Sequence, residues 1–320
     1  GMCHVAHEGL VKRDIGGHFD YVPKMAALAS ANKIEAYNLP QGVLSQLFRE
    51  IAAKRPGLIT HVGLHTFVDP RIEGGKLNDI TKEDLVQVIQ INGKERLFYP
   101  AFPVHVAFLR GTTADEDGNV TMEEEAAILD NLAIAQAVHN HGGKVFVQVK
   151  RLAQRGTLHP KHVKIPGVLV DGIVVCPDQW QTVRSIHNPA FSGEIRVPLQ
   201  EIESIPYNER KIIAMRAAME LPDRGVVNLG VGISGLVGLA AKEMGLDKDF
   251  VFAVEQGVIG GIPAGGIEFG AASNPQAIID SPSQFDFFDG GGIDLACLGM
   301  AQADMAGNVN VSKLGGRIIG

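Results

Sequence analysis

Cysteine is scarce in this sequence: Cys3, Cys176 and Cys297 are scattered over 320 residues and odd in number. No pair has the C-x-x-C spacing of zinc ribbons and dithiol redox sites, and a disulfide framework would need an even, clustered set. A reducing compartment fits that pattern. Basic charge is also short, with 29 Lys and Arg against 36 Asp and Glu and a formal net charge of -7. Nucleic acid or an anionic membrane would require a clustered basic surface, so neither is expected as a partner. Long apolar runs are missing. Residues 226–241, the longest low-charge stretch, are broken by Asn228, Ser234 and several glycines and are too short to span a bilayer. No charged-then-apolar leader opens the chain, and a cytoplasmic location is the expectation. Metal motifs are wanting too: the pairs His4/His7, His139/His141 and His159/His162 have no H-E-x-x-H context, read as surface or packing residues, and predict no metal site.

What the chain does have is an ordinary core composition, 45% apolar and 20% charged, which excludes disorder. Its length predicts two domains of roughly 150 residues, and burial of about three quarters of the extended surface without staples. Helix and strand signals alternate. Residues 45–53 have helical spacing and stop at Pro56-Gly57, before a strand over 58–63. Thr81-Lys82-Glu83-Asp84 resembles a capping box. Residues 86–91 and 96–99 flank Asn92-Gly93, a type I′ hairpin signal. A helix is predicted over 123–139, with acids in its first turn and Gly142-Gly143 at its end, followed by strands over 144–149 and 168–175. Six of the 16 prolines lie in residues 160–206, and residues 177–206 show no sustained period, which reads as a connection. Asn208 then caps a predicted helix over 209–221. The alternation predicts an α/β fold with mainly parallel sheets.

An internal repeat lies at an offset of 189. Residues 107–120 align without gaps on 296–309, with seven of fourteen positions identical, including the Asp-x-x-Gly-Asn turns at 115–119 and 304–308. Two related α/β halves are therefore expected.

Glycine is concentrated late in the chain: 20 of 38 fall in residues 225–320. A predicted strand over 226–229 runs into Gly230-Val231-Gly232-Ile233-Ser234-Gly235 and then a helix-like segment over 236–244, a match to G-x-G-x-x-G. The strand over 250–254 ends in Glu255, where a dinucleotide-binding fold places its ribose-binding acid. A nicotinamide or flavin domain is one reading. Residues 256–266 bring a second loop with five glycines, which a ribose contact does not need. A carboxylate nucleophile would need it, because a bulky electrophile must reach it and backbone N–H groups must face developing charge. The residues alone leave both readings open. The G-x-S-x-G elbow is missed by one position at Ser234. Phe285-Asp286-Phe287-Phe288-Asp289-Gly290-Gly291-Gly292 reads either as a strand edge and turn or as a second wall of the same cleft.

From Glu255 to Gly266 the sequence resembles the family I coenzyme A-transferases, of the acetate/propionate CoA-transferase type. The resemblance continues through Asp289-Gly290-Gly291-Gly292-Ile293-Asp294 and residues 304–311, and in the first half through Thr66-Phe67-Val68-Asp69-Pro70-Arg71, Gly74-Gly75-Lys76 and residues 110–115. It implies two homologous open α/β domains: residues 1–176, a connection over 177–207, and residues 208–320 carrying the catalytic glutamate. It further implies ping-pong transfer of CoA between a short-chain acyl-CoA and a carboxylate such as acetate, through a glutamyl-CoA thioester on Glu255. Gly232, Gly257, Gly260, Gly261, Gly265, Gly290 and Gly291 would then be substrate- and CoA-binding pocket walls. CoA and acyl-CoA would be substrates, with no tightly bound cofactor, and the enzyme a homo-oligomer. Family members carry further glycine-rich segments on both sides, so this chain reads as the middle of a longer protein. His65 stands where the family's Gly-x-Gly-Thr-Phe pattern has glycine. The competing classes are a dinucleotide-binding oxidoreductase using residues 230–235 and Glu255, and a non-catalytic assembly subunit.

Overall fold

Val145, Val147 and Val149 recur at every second position of the strand Lys144–Val149 and are fully buried. Each contributes roughly 2 kcal/mol of burial. This strand is the centre of a parallel sheet, with Val106–Arg110 on one side and Gly172–Val175 on the other. The helix Asn131–Asn140 covers it, packing Ala135 and Val138 into the same core. The computed structural model describes residues 2–19, 21–202, 204–246, 249–315 and 317–318. Residues 103–299 form one compact unit, and residues 1–102 with 300–320 a second.

The 103–299 unit holds a second sheet of five strands, in the order Ala277–Ile278, Val258–Ile259, Asp249–Val254, Arg224–Leu229, Leu295–Cys297. The last three are mutually parallel and the first two antiparallel additions. Helices Glu209–Ala218 and Val237–Glu243 bury Ala214, Ala218, Val237 and Ala240 against Val227, Leu229 and Phe252. Asn208 caps the former as expected, its Oδ1 accepting from the Lys211 amide at 3.2 Å. The fold is thus mixed α/β with mainly parallel central sheets. Between the two sheets, the described residues of 177–207 carry only the short helix Pro189–Ser192 and a 3-10 turn, Leu199–Glu201.

The 1–102/300–320 unit pairs Arg13–Gly16 in parallel with Glu35–Asn38, and has an antiparallel sheet of Gly57–Thr60, Lys94–Pro100 and Gln87–Ile91. The Asn92-Gly93 turn has φ of 51° and 72°, the type I′ geometry that its sequence calls for. The repeated turns share one geometry: Asp115 Oδ1 accepts from the amides of Asp117 and Asn119, and Asp304 Oδ1 from those of Ala306 and Asn308. Gly118 and Gly307 close them with φ of 82° and 85°.

Three local expectations are corrected. The helix predicted over 123–139 begins only at Asn131. Its supposed first-turn acids are drawn into tertiary ion pairs instead: Glu124 with Lys150 and Arg151, Glu123 with Arg151, and Glu125 with Arg110. Thr81 caps no helix; its Oγ1 accepts the Ala36 amide at 2.8 Å and donates to Asn78 Oδ1. Residues 285–289 are neither strand edge nor turn but the end of the helix Ser281–Asp289, which Asp280 caps through the Ser283 amide at 3.3 Å.

Candidate active site

In the second sheet Arg224–Leu229 is central, with its next strand in sequence, Asp249–Val254, on one side and Leu295–Cys297 on the other. Arg224–Leu229 and Asp249–Val254 run parallel, so their carboxyl ends lie at one edge of the sheet. Glu255 follows immediately on Asp249–Val254, and the Gly230–Gly232 segment on Arg224–Leu229, so both loops rise at this edge.

Glu255 stands in a three-residue hairpin loop, because Val254 pairs with Val258 across residues 255–257. Gly257 makes the loop possible. Its φ is 95°, its amide donates to Val254 O at 3.0 Å, and a Cβ there would lie 2.1 Å from the Ile279 carbonyl oxygen. Glu255 is partly buried. Burial pushes its carboxyl above the usual range, and the hydrogen bond from Gln256 Nε2, at 3.3 Å, acts the other way. The result is a carboxylate poorly solvated by water and held from one side.

The loop over 264–271 links the short strands Ile262–Pro263 and Ala272–Ser273 and is tied to the connection, since Glu268 Oε1 accepts from Thr182 at 3.0 Å and Ser185 at 2.5 Å. Hollows lie to either side of it. One, of about 620 Å3, is lined by Phe108, Phe146, Glu125, Gln256, Phe269 and Gly270. Another, of about 530 Å3, is lined by Arg184, Arg210, Gly232, Leu236, Gly265 and Gly266. A third, of about 400 Å3, includes Gly260 and Gly261. Glu255 lines none of these three itself, and meets the first through Gln256. Gly290 and Gly291 lie at the carboxyl end of the helix Ser281–Asp289, where the Gly290 amide donates to Asp286 O at 3.0 Å, and line none of the three. The hairpin thus joins Glu255 and Gly257, the second hollow gathers Gly232 and Gly265, and the third holds Gly260 and Gly261.

Sequence reading missed Gln256, Gly270 and the wall of the hollow of about 620 Å3. In that wall Glu125 is buried, which raises its carboxyl, while the Arg110 guanidinium beside it works in the opposite direction. Arg110 also donates to the carbonyls of Trp180 and Gln181, and Gln179 Nε2 to Glu125 Oε1 at 3.1 Å, fastening the connection to the first sheet. Only adjacency to Glu255 hinted at Gln256; nothing in the spacing hinted at the rest. Among the described residues no cluster of three or more His, Cys, Asp or Glu could hold a metal ion, and no helix is long and apolar enough to cross a membrane.

At His65 the structure explains the expected glycine: φ is 63°, in the left-handed region, and the amide donates to the buried Asp69 Oδ2 at 3.0 Å.

Comparison with known proteins bears on this geometry. The family model described as coenzyme A transferase matches residues 1–176. A caffeate CoA-transferase of Acetobacterium woodii is 52% identical over the whole chain, which covers 63% of that relative. The acetate CoA-transferase YdiF of Escherichia coli is 49% identical, again over the whole chain and 60% of the relative. The chain therefore spans about three fifths of the length of these proteins. The crystal structure of the acyl-CoA transferase YdiF apoenzyme superposes with a TM-score of 0.92 at 47% identity, covering all of this chain and 60% of that one. A thioester complex of YdiF with CoA has the same TM-score and identity. With a model match over more than half its length, this chain belongs to the coenzyme A transferase family.

Proposed function

We propose that the protein transfers coenzyme A between a short-chain acyl-CoA and a carboxylate acceptor such as acetate, through a glutamyl-CoA thioester on Glu255. The carrying observation is a partly buried carboxylate at a hairpin apex, over the carboxyl ends of parallel strands, in a coenzyme A transferase chain. The relative YdiF, captured as a thioester complex with CoA, supports the covalent route.

In the proposed sequence a Glu255 carboxylate oxygen attacks the thioester carbonyl carbon. The C–S bond breaks, leaving CoA thiolate and a mixed anhydride. The thiolate then attacks the glutamyl carbonyl of that anhydride, the C–O bond breaks, and the first carboxylate departs, leaving the glutamyl-CoA thioester. A second carboxylate attacks this thioester and re-forms thiolate and anhydride. Attack of the thiolate on the new acyl carbonyl releases the new acyl-CoA and frees Glu255. No proton needs a dedicated base, since glutamate has a reference pKa near 4.3 and attacks as its carboxylate. Partial exclusion of water makes the ion more reactive and protects the anhydride.

Gly257 lets the hairpin close tightly behind Glu255. Gly232 and Gly265 are walls of the second hollow, where Arg184 and Arg210 offer positive charge to the CoA phosphates. Gly260 and Gly261 shape the loop beyond, and Gly290 and Gly291 end the helix Ser281–Asp289 outside all three hollows. The same proposal divides the chain at residues 176 and 208, makes acyl-CoA and carboxylate its small-molecule partners with no tightly bound cofactor, and makes the enzyme a cytoplasmic homo-oligomer.

The test is intact-mass and peptide mass spectrometry of the longest form its gene encodes, after incubation with acetyl-CoA or propionyl-CoA, with Glu255→Ala as control. A CoA adduct on the Glu255 peptide, absent from the variant, is expected. No adduct, or one that survives in Glu255→Ala, overturns the proposal.

A further inference from the structure

Gln256 follows Glu255 on the hairpin, and its amide is engaged at one end only. Nε2 donates to Glu255 Oε1 at 3.3 Å. A carboxylate faces an NH2 group rather than a carbonyl oxygen, which fixes the orientation of the amide. Oε1 is left buried with no hydrogen-bond partner among the described residues. Buried acceptors are ordinarily satisfied, so an orphan of this kind beside a nucleophile calls for a donor brought by a ligand. Room for the amide depends on Gly270: a Cβ there would lie 2.9 Å from Gln256 Cγ and Cδ. Both residues line the hollow of about 620 Å3.

The chemistry of the substrate narrows the donor. The thioester carbonyl and an ionised carboxylate offer acceptors only. The first N–H along the CoA arm belongs to the pantetheine amide, two methylenes from the sulfur. With the thioester carbon at Glu255, that N–H comes within reach of the adjacent side chain.

We propose that Gln256 is a positioning residue that reads the pantetheine arm, its Oε1 accepting the amide N–H nearest the sulfur while its Nε2 holds the Glu255 carboxylate for attack. This rests on Glu255 being the nucleophile. One side chain then links correct seating of CoA to the orientation of the reacting carboxylate, and the orphan oxygen is satisfied only when CoA is bound.

The experiment compares kcat/KM for acyl-CoA with that for an analogue whose sulfur-proximal amide N–H is replaced by an ester oxygen, in wild type and in Gln256→Met. Wild type should prefer the natural arm by about 3–10-fold, the worth of one neutral hydrogen bond. Gln256→Met should treat both arms alike. Its kcat/KM should also rise with pH later than that of wild type, because the carboxylate has lost a donor that favoured its charged form. Equal use of both arms by wild type overturns the proposal without recourse to any variant, as does a Met variant that keeps the preference and the wild-type pH limb. A wild-type enzyme that forms the Glu255 adduct yet shows no preference sinks this inference alone, whereas absence of the adduct sinks the nucleophile reading beneath it.

Discussion

Two glycines with the same backbone angle isolate what holds the glutamate hairpin. Gly257 and Gly291 both have φ of 95°, but a Cβ on Gly291 would meet nothing within 4 Å, whereas one on Gly257 would lie 2.1 Å from Ile279 O. Alanine in left-handed backbone costs roughly 1–2 kcal/mol, offset by about 0.4–1 kcal/mol from a less flexible unfolded chain. Gly291→Ala should therefore lose about 1 kcal/mol. At Gly257 the Cβ would sit about 1 Å inside contact distance of a backbone oxygen, and overpacking of that kind adds about 1–3 kcal/mol. The Ile279 amide also donates to Gly257 O at 2.8 Å, so the two segments cannot part freely. A total near 3 kcal/mol is expected for Gly257→Ala, read from urea denaturation midpoints at constant m-value. Displacing the hairpin by about 1 Å should also lower acyl transfer about 100-fold. Equal destabilisation by the two substitutions, or full activity in Gly257→Ala, would refute the close-approach argument.

Other outcomes follow from the same physics. Burial raises the Glu255 carboxyl, so its ionisation weighs against the folded state as pH rises through the folded pKa. Glu255→Gln should therefore gain stability at pH 7 while losing transfer activity, and the gain should shrink below about pH 4, where the wild-type group is neutral in both states; a pH-independent difference would contradict this. His65→Gly should raise stability by a few tenths to about 1 kcal/mol in calorimetry, because exposed His65 holds φ of 63°, and a lower Tm would count against strain there. Asp69 is 1% exposed and accepts from the His65 and Arg71 amides, and the Arg71 guanidinium holds its carboxyl well below the usual range. Asp69→Asn should cost about 2 kcal/mol near neutrality. That advantage of the wild type is present above its unfolded pKa near 3.9 and is lost as pH falls through the lower folded value. Denaturation midpoints across pH 3–7 test it, and an undiminished difference at acid pH would exclude the ion pair as the source.

Features decided by neighbouring residues were legible in the sequence. The Asn92-Gly93 hairpin, the Asn208 cap, both Asp-x-x-Gly-Asn turns and the Lys144–Val149 strand follow from dihedral preference, local side-chain-to-backbone hydrogen bonds and alternation. Features decided by distant partners were not. Glu123, Glu124 and Glu125 look like the first turn of a helix, but Arg110 at the end of one strand, and Lys150 and Arg151 where two others meet, claim them and delay the helix to Asn131.

By itself the sequence determined the α/β class, the repeat, the glycine concentration and the singling out of Glu255, because period, turn chemistry and residue type are local properties. The tertiary structure decided which of those glycines surround the glutamate's hairpin and which merely end a helix. It also decided how far burial raises the carboxyl and which neighbour steadies it. Those depend on what lies across a sheet or against a loop: the Ile279 carbonyl over Gly257, the Gly270 backbone behind Gln256. No spacing along the chain encodes such approaches, since they arise only when segments far apart in sequence are packed to van der Waals contact.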